Sequence, residues 1–520
     1  MIKKKVITLV VIGVLLLGTL FAYLLVLKPL LKTDQGQTEE LLPLLDGEVR
    51  DEITGRVRLF PKITETMVKS IEDHNQKGSF TFHLDENSEI VIKGMEQAPY
   101  TTASWVQLVS DAGSTLAIDR LARPSADKTV YGFGKDTTAW YEITVVDGTK
   151  HKVWIGDEIP TGGGYYVMYD GRDAVYVLNP NIGTTLLADV YFFIDPLLVF
   201  PIPQAGYSKD PTTGKITTID NLNIVRDGKT FIKIDALTAD ETGREDGLSE
   251  YVLLAPAGYQ LDSAVNSELY AFFSSLSGSK VVAGGLENDL SSATLKALLL
   301  EEYGISLEKP AYMFSYDFGD VPSAVFFSTP DDTGNMYAYS LLYRQVVEIN
   351  LSAVSFLKWD MMKYIKPNVF AENIYDVAKV ELKGSVDRES LSVDTFFTLS
   401  GDKDKKTLTI RHKGSDKAYD KDAVANFKNF YMTLVGLYVQ GESDVKLDEP
   451  DRLTLLAEIT ITQTDDEVLE YKYYYYNSRR CLVTINGEGE FYVYRDQVEK
   501  LLRDADRLLK GLPVDYQEKN

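Results

Sequence analysis

The chain has 520 residues, 44% of them apolar and 25% charged, the composition of a folded protein of two to four domains at the usual ~100–200 residues each. Its 77 acidic residues against 54 Lys and Arg give a net charge of −23. That balance excludes nucleic acid as a partner, and broad contact with anionic lipid headgroups, because both need clustered cations.

The N-terminus reads "MIKKK" and then residues 6–27, "VITLVVIGVLLLGTLFAYLLVL", without a charge or a proline. As a helix at about 1.5 Å per residue this run reaches ~33 Å, enough to cross a hydrocarbon core. Lys28, Pro29 and Lys32 follow with no small-residue cleavage site and no nearby cysteine to carry a lipid, so residues 1–32 read as a cytoplasmic stub and an uncleaved signal anchor. Lys3, Lys4 and Lys5 outweigh Lys28 and Lys32. The expected localisation is therefore the cell membrane, single-pass, with a cytoplasmic N-terminus, an extracytoplasmic bulk and the bilayer as first partner.

Residues 33–57 read as an acidic connector. Beyond them the chain is strand-rich, with period-2 alternation in "SFTFHL" and "TFIKI" and helical spacing over 103–117, 267–276, 423–437 and 497–509. These pieces recur. Thr161, Gly162 and Tyr165 fall on Thr333, Gly334 and Tyr337 at one offset, and "YDGRDAVYVLN" pairs Gly171 with Gly487 and Tyr176 with Tyr492 of "INGEGEFYVYR". The expected fold is α+β: the transmembrane helix, then three tandem repeats, each a strand pair, a helix and an antiparallel sheet, at 58–200, 213–365 and 374–512.

Three glycines in "IGDEIPTGGGYYVMYDGRDAVYVLNP" (155–180) raise a phosphate loop as a possibility. Such a loop must open a helix, whereas "TGGG" leads into two strands joined by "DGRD", so a hairpin turn is expected. The same stretch, from Trp140 to Pro180, resembles the bacterial membrane-anchored family known as domain of unknown function 4340, in its G-G-Y-Y-V-type hairpin and V-Y-x-L strand. The resemblance implies an extracytoplasmic protein working beside ATP-binding-cassette export components, with a transporter permease and another extracytoplasmic subunit as partners. It supplies no catalytic residue.

Chemistry is otherwise sparse. The four histidines are scattered, no G-x-S-x-G elbow occurs, and the lone Cys481 sits in mid-strand, so no catalytic, metal or cofactor-binding residue is expected and the chain is read as no enzyme. The most unusual run is "EYKYYYYNSRR": on a strand Tyr471, Tyr473 and Tyr475 share one face, with Arg479 and Arg480 at the rim. These five residues are the candidate ligand or partner surface, set against a two-sided buried strand. The leading expectation is a binding and scaffold protein, accessory to an ATP-binding-cassette type envelope transport complex. The alternatives are a cell-wall or polysaccharide-binding protein and an envelope hydrolase.

Overall fold

The computed structural model describes residues 42–515 apart from 87–89, 101, 114, 116, 136–137, 244–247, 257 and 414. Strands of the first large sheet are β1 (Val68–Asn75), β2 (Gly78–Leu84), β3 (Ile90–Ile92), β4 (Ala117–Arg120), β5 (Ala139–Val145), β6 (Lys150–Glu158), β7 (Tyr165–Tyr169) and β8 (Tyr176–Leu178). Those of the second are β9 (Ile216–Arg226), β10 (Lys229–Leu237), β11 (Glu250–Ala255), β12 (Lys280–Ala283), β13 (Tyr312–Phe318), β14 (Val321–Phe327), β15 (Asn335–Ser340) and β16 (Gln345–Asn350). The third holds β17 (Val377–Val386), β18 (Leu391–Asp402), β19 (Thr407–His412), β20 (Gly441–Glu442), β21 (Thr454–Gln463), β22 (Val468–Tyr475), β23 (Arg480–Ile485) and β24 (Glu488–Tyr494).

All three follow one strand order. The first runs β3-β2-β1-β5-β6-β7-β8-β4, and adding eight, then sixteen, to each number gives the other two. All their pairings are antiparallel, and Tyr207–Lys209 adds a ninth strand beside β9. In each sheet the fourth strand leaves its sequence neighbours and pairs with the eighth at the far edge. A helix makes that crossing: α1 (Thr102–Gly113), α2 (Ala264–Phe273) and, further along, α4 (Lys421–Val435). Two more helices are α3 (Ala293–Tyr303), between β12 and β13, and α5 (Arg495–Leu509), after β24.

The expected α+β class with an N-terminal transmembrane helix is corrected. Four antiparallel sheets, the fourth a small pair of Val49–Arg50 with Val57–Arg58, make the protein mostly β. The physical reason is that in each repeat a single crossing helix serves eight strands. The single-pass localisation is corrected as well: among the described residues no helix is long and apolar enough to cross a membrane. The run 6–27 on which it stood lies outside the described residues.

The described residues within Met1–Lys93 and Thr102–Val190 form one compact unit, with the first sheet; those within Gly94–Thr101 and Tyr191–Asn520 form the other, with the second and third. Residues 42–57, expected in a connector, are stitched to the first unit. Arg120 donates to Glu48 at 2.5 Å and to the Pro43 carbonyl at 2.7 Å, Tyr176 Oη donates to Glu48 at 2.7 Å, and Arg172 reaches the carbonyls of Asp46 and Leu59.

Alternation drives the cores. Along β5 every second residue, Ala139, Tyr141, Ile143 and Val145, is buried. On α4, whose N-cap Asp420 accepts from the Ala423 N–H, Phe427, Phe430, Tyr431 and Leu434 form the i, i+3, i+4, i+7 stripe that packs on Phe397. Beside the stripe of α5 (Val498, Leu501, Leu502, Ala505, Leu508) two charged residues, Glu499 and Asp504, are buried as well. Glu499 is fully buried and meets Arg388, Arg495 at 2.9 Å and Arg503 at 3.7 Å. Glu499→Gln keeps the shape and removes the charge, so it is expected to cost about 1–3 kcal/mol, read as a lower denaturation midpoint at unchanged slope. An unaltered midpoint would show the cluster to be energetically idle.

Candidate functional site

One face of each large sheet packs on its own crossing helix. Tyr141 donates to the Ala112 carbonyl of α1 at 3.3 Å, Phe314 and Tyr316 stack on Phe273 of α2, and Phe397 meets Phe427 and Phe430 of α4. The opposite, outer face differs between sheets, because it is dressed by the connection from the fourth strand to the fifth. That connection is longest in the second sheet (284–311), where it folds into α3 and lays Leu295, Leu299 and Ile305 on Phe326, Tyr339 and Val346. In the first sheet (121–138) it forms one short 3-10 turn, Lys128–Tyr131, and in the third (443–453) only Pro450–Arg452.

Helix α3 ends at Gly304, whose φ of +66° suits a residue without Cβ. Past that end the outer face of the second sheet opens into a cleft of about 740 Å³, lined by Tyr303, Ser328, Asp331, Asn335, Tyr337 and Glu348 among others. Tyr303 and Tyr337 meet edge-on with centroids 5.3 Å apart. The Asp331 carboxylate accepts from the Thr333 hydroxyl at 2.7 Å, the Thr333 N–H at 2.8 Å and the Asn335 N–H at 2.9 Å, which holds it below the usual carboxylate range. An acid so occupied shapes the loop and is a poor proton acceptor. Beside the Glu348 carboxylate the cleft offers tyrosine rings, hydroxyls and amides, a set suited to recognition.

The five residues singled out in sequence are split by the structure. Tyr471 and Tyr473 lie on the core side of β22, both buried, Tyr471 edge-on to Phe370 at 5.8 Å, and burial pushes both phenols up. Tyr475 is half-buried, with the Arg495 guanidinium 4.1 Å from its ring. Arg479 is exposed, and Arg480 covers Tyr492 at 4.3 Å, with Asp444 3.6 Å away. They form no common surface.

Sequence reasoning passed over Trp140 and Trp154. They face each other across the β5–β6 hairpin on the outer face of the first sheet, their centroids 6.4 Å apart. The available signal was two tryptophans at the outward positions of alternating strands, equidistant from the 146–148 turn. The "TGGG" segment closes the β6–β7 hairpin, with the Ile159 N–H donating to the Gly164 carbonyl at 2.8 Å, and opens no helix. Cys481 is buried, and burial pushes its thiol up to about 12, which leaves it unreactive. Among the described residues no three of His, Cys, Asp and Glu are grouped to hold a metal ion.

Residues 99–298 match the family model described as Domain of unknown function (DUF4340). The match begins just before α1 and ends within α3, so it spans parts of two sheets. No curated protein and no solved structure matches the chain.

Proposed function

From a chain that carries domain of unknown function 4340 over residues 99–298, we propose a non-catalytic binding and scaffold protein that is an accessory component of an ATP-binding-cassette transport complex. The observation that supports binding is one sheet topology used three times with three differently dressed outer faces. Repetition of a rigid support with variation confined to one connection suits a protein that presents several surfaces. The transport partners, a permease with its ATPase and a further subunit, follow from the family resemblance.

A second reading has its own support. The cleft beside α3 pairs two tyrosine rings with hydroxyl and amide groups, which suits a polysaccharide chain. One experiment separates the two. The full chain is cross-linked in its own cells through photoreactive groups on the outer faces, then purified. Recovery of permease and ATPase peptides is expected; repeated recovery of glycan alone would overturn the transport reading and favour the second.

A further inference from the structure

Hairpin register makes the outer faces of the first two sheets directly comparable. His74 is one pair short of the end of the β1–β2 hairpin, where Asn75 faces Gly78; Val225 holds the same place in β9–β10, where Arg226 faces Lys229. From those two residues the pairings run across the sheets. In the first, His74 faces Trp140, Trp140 faces Trp154 and Trp154 faces Met168. In the second, Val225 faces Met313, Met313 faces Phe326 and Phe326 faces Tyr339. The second row is the seat of α3, with Phe326 and Tyr339 in contact with Leu295 and Leu299 and Met313 packed beside them. Among the described residues the first row has no helix in the place of α3: α1 and Pro180–Leu186 lie on the other face, and the turn Lys128–Tyr131 meets the sheet beside the row, its Tyr131 against Gly156 and Tyr166, two residues along from Trp154 and Met168. His74, Trp140, Trp154 and Met168 are all half-buried.

We propose that the outer face of the first sheet, centred on Trp140, Trp154 and Met168, is a docking surface for an amphipathic helix of a partner protein, with a stripe of leucine-like side chains and a carboxylate beside it. The stripe is what the equivalent row of the second sheet accepts from α3. The carboxylate answers Lys152, whose ammonium lies 3.8 Å from the Trp140 ring and 4.5 Å from the Trp154 ring and meets no carboxylate among the described residues. The Trp140 indole N–H likewise has no acceptor there, while that of Trp154 donates to Asp170 at 2.9 Å. Tryptophan and methionine are the side chains enriched at the centres of protein interfaces. A sugar is disfavoured, because the two indoles are inclined at 61° and Lys152 occupies their faces, leaving no flat platform. The proposal rests on the reading that the chain acts by binding.

The test uses a side-chain-stapled peptide of residues 289–305, the segment that roofs the second sheet, titrated into the full chain. Stapling offsets the nucleation cost of so short a helix. Indole fluorescence should change saturably below about 1 mM peptide. Trp154→Glu should weaken binding at least ~10-fold, as loss of a central interface anchor does. Lys152→Glu should weaken it only while the peptide keeps Glu301 and Glu302, and Lys383→Glu, at an exposed position of β17, should change nothing. Absence of saturable binding, or binding that ignores both Trp154→Glu and the milder Trp154→Tyr, would overturn the proposal. No transport subunit is in the tube, so this result and the cross-linking result can fail independently.

Discussion

Replacing Arg120 by alanine should destabilise the first compact unit by about 3–5 kcal/mol, the usual cost of removing one partner from a buried ion pair. The Glu48 side chain has no exposure and that of Arg120 only 8%. Burial alone would raise the Glu48 carboxyl, but the Leu45 N–H, the Tyr176 hydroxyl and Arg120 together hold it below its usual range. A folded value below the unfolded one means stability present above about pH 4.5 and lost as pH falls through the lowered value. Without Arg120 the carboxylate stays buried with neutral donors only, and the variant should recover part of its loss under acid. A chain starting at Arg56 lacks Glu48 and leaves Arg120 and Tyr176 without their partner, so it should show a comparable loss. Amide exchange at Ala117–Arg120 and Tyr176–Leu178 reads both cases. Equal protection in chains starting at 42 and at 56 would contradict this account.

Asp73→Asn should act in the opposite direction. Asp73 is buried in β1, faces Tyr141 across the sheet, and takes one side-chain hydrogen bond, from Asn75 at 3.0 Å. Burial pushes its carboxyl up to about 8, with the Asn75 amide pulling weakly the other way. The folded state thus keeps a proton that the unfolded chain releases near pH 4. Stability is complete below that pH and is lost as pH climbs to about 8. Asparagine removes the titration, so the variant should match the natural protein near pH 4 and exceed it by on the order of 2–5 kcal/mol at pH 8–9. Asp111, also raised by burial, keeps a pH dependence of the same sign in both proteins. Parallel pH profiles of melting temperature for the two proteins between pH 5 and 8 would refute the assignment.

Strands and most helices were readable because their periods are strong: "SFTFHL" lies within β2, "TFIKI" within β10, and the four helical islands overlap α1, α2, α4 and α5. Helix α3 was missed because "ALLLEEY" is apolar around much of its circumference and shows no stripe. The repeat register slipped by one residue. Sequence matching set Tyr165 on Tyr337, yet Trp154 faces Met168 where Phe326 faces Tyr339, which makes Tyr166 the equivalent of Tyr337. A one-residue slip exchanges the faces of a strand, and identity at a turn glycine cannot detect it. The tyrosine run failed as a site for a related reason. Alternation says that Tyr471 and Tyr473 share a side; the neighbours Phe370 and Tyr259, far off in sequence, decide that it is the inner one.

The out-of-turn fourth strand has a consequence for synthesis. On the ribosome β4 emerges long before β8, the one strand it pairs with among the described residues, and the same holds for β12 with β16 and β20 with β24. The hairpins can zip as they appear, since loops of a few residues close fast, but each far edge must wait for the end of its own repeat. Every sheet therefore latches at its last strand, three times in succession from the N-terminus. A nascent chain halted before Tyr176 should carry an unlatched strand with an open edge, a template for pairing between chains. Translation pauses once residue 178, and later residue 350, has cleared the ribosome would give the first two latches time to shut before the next repeat arrives.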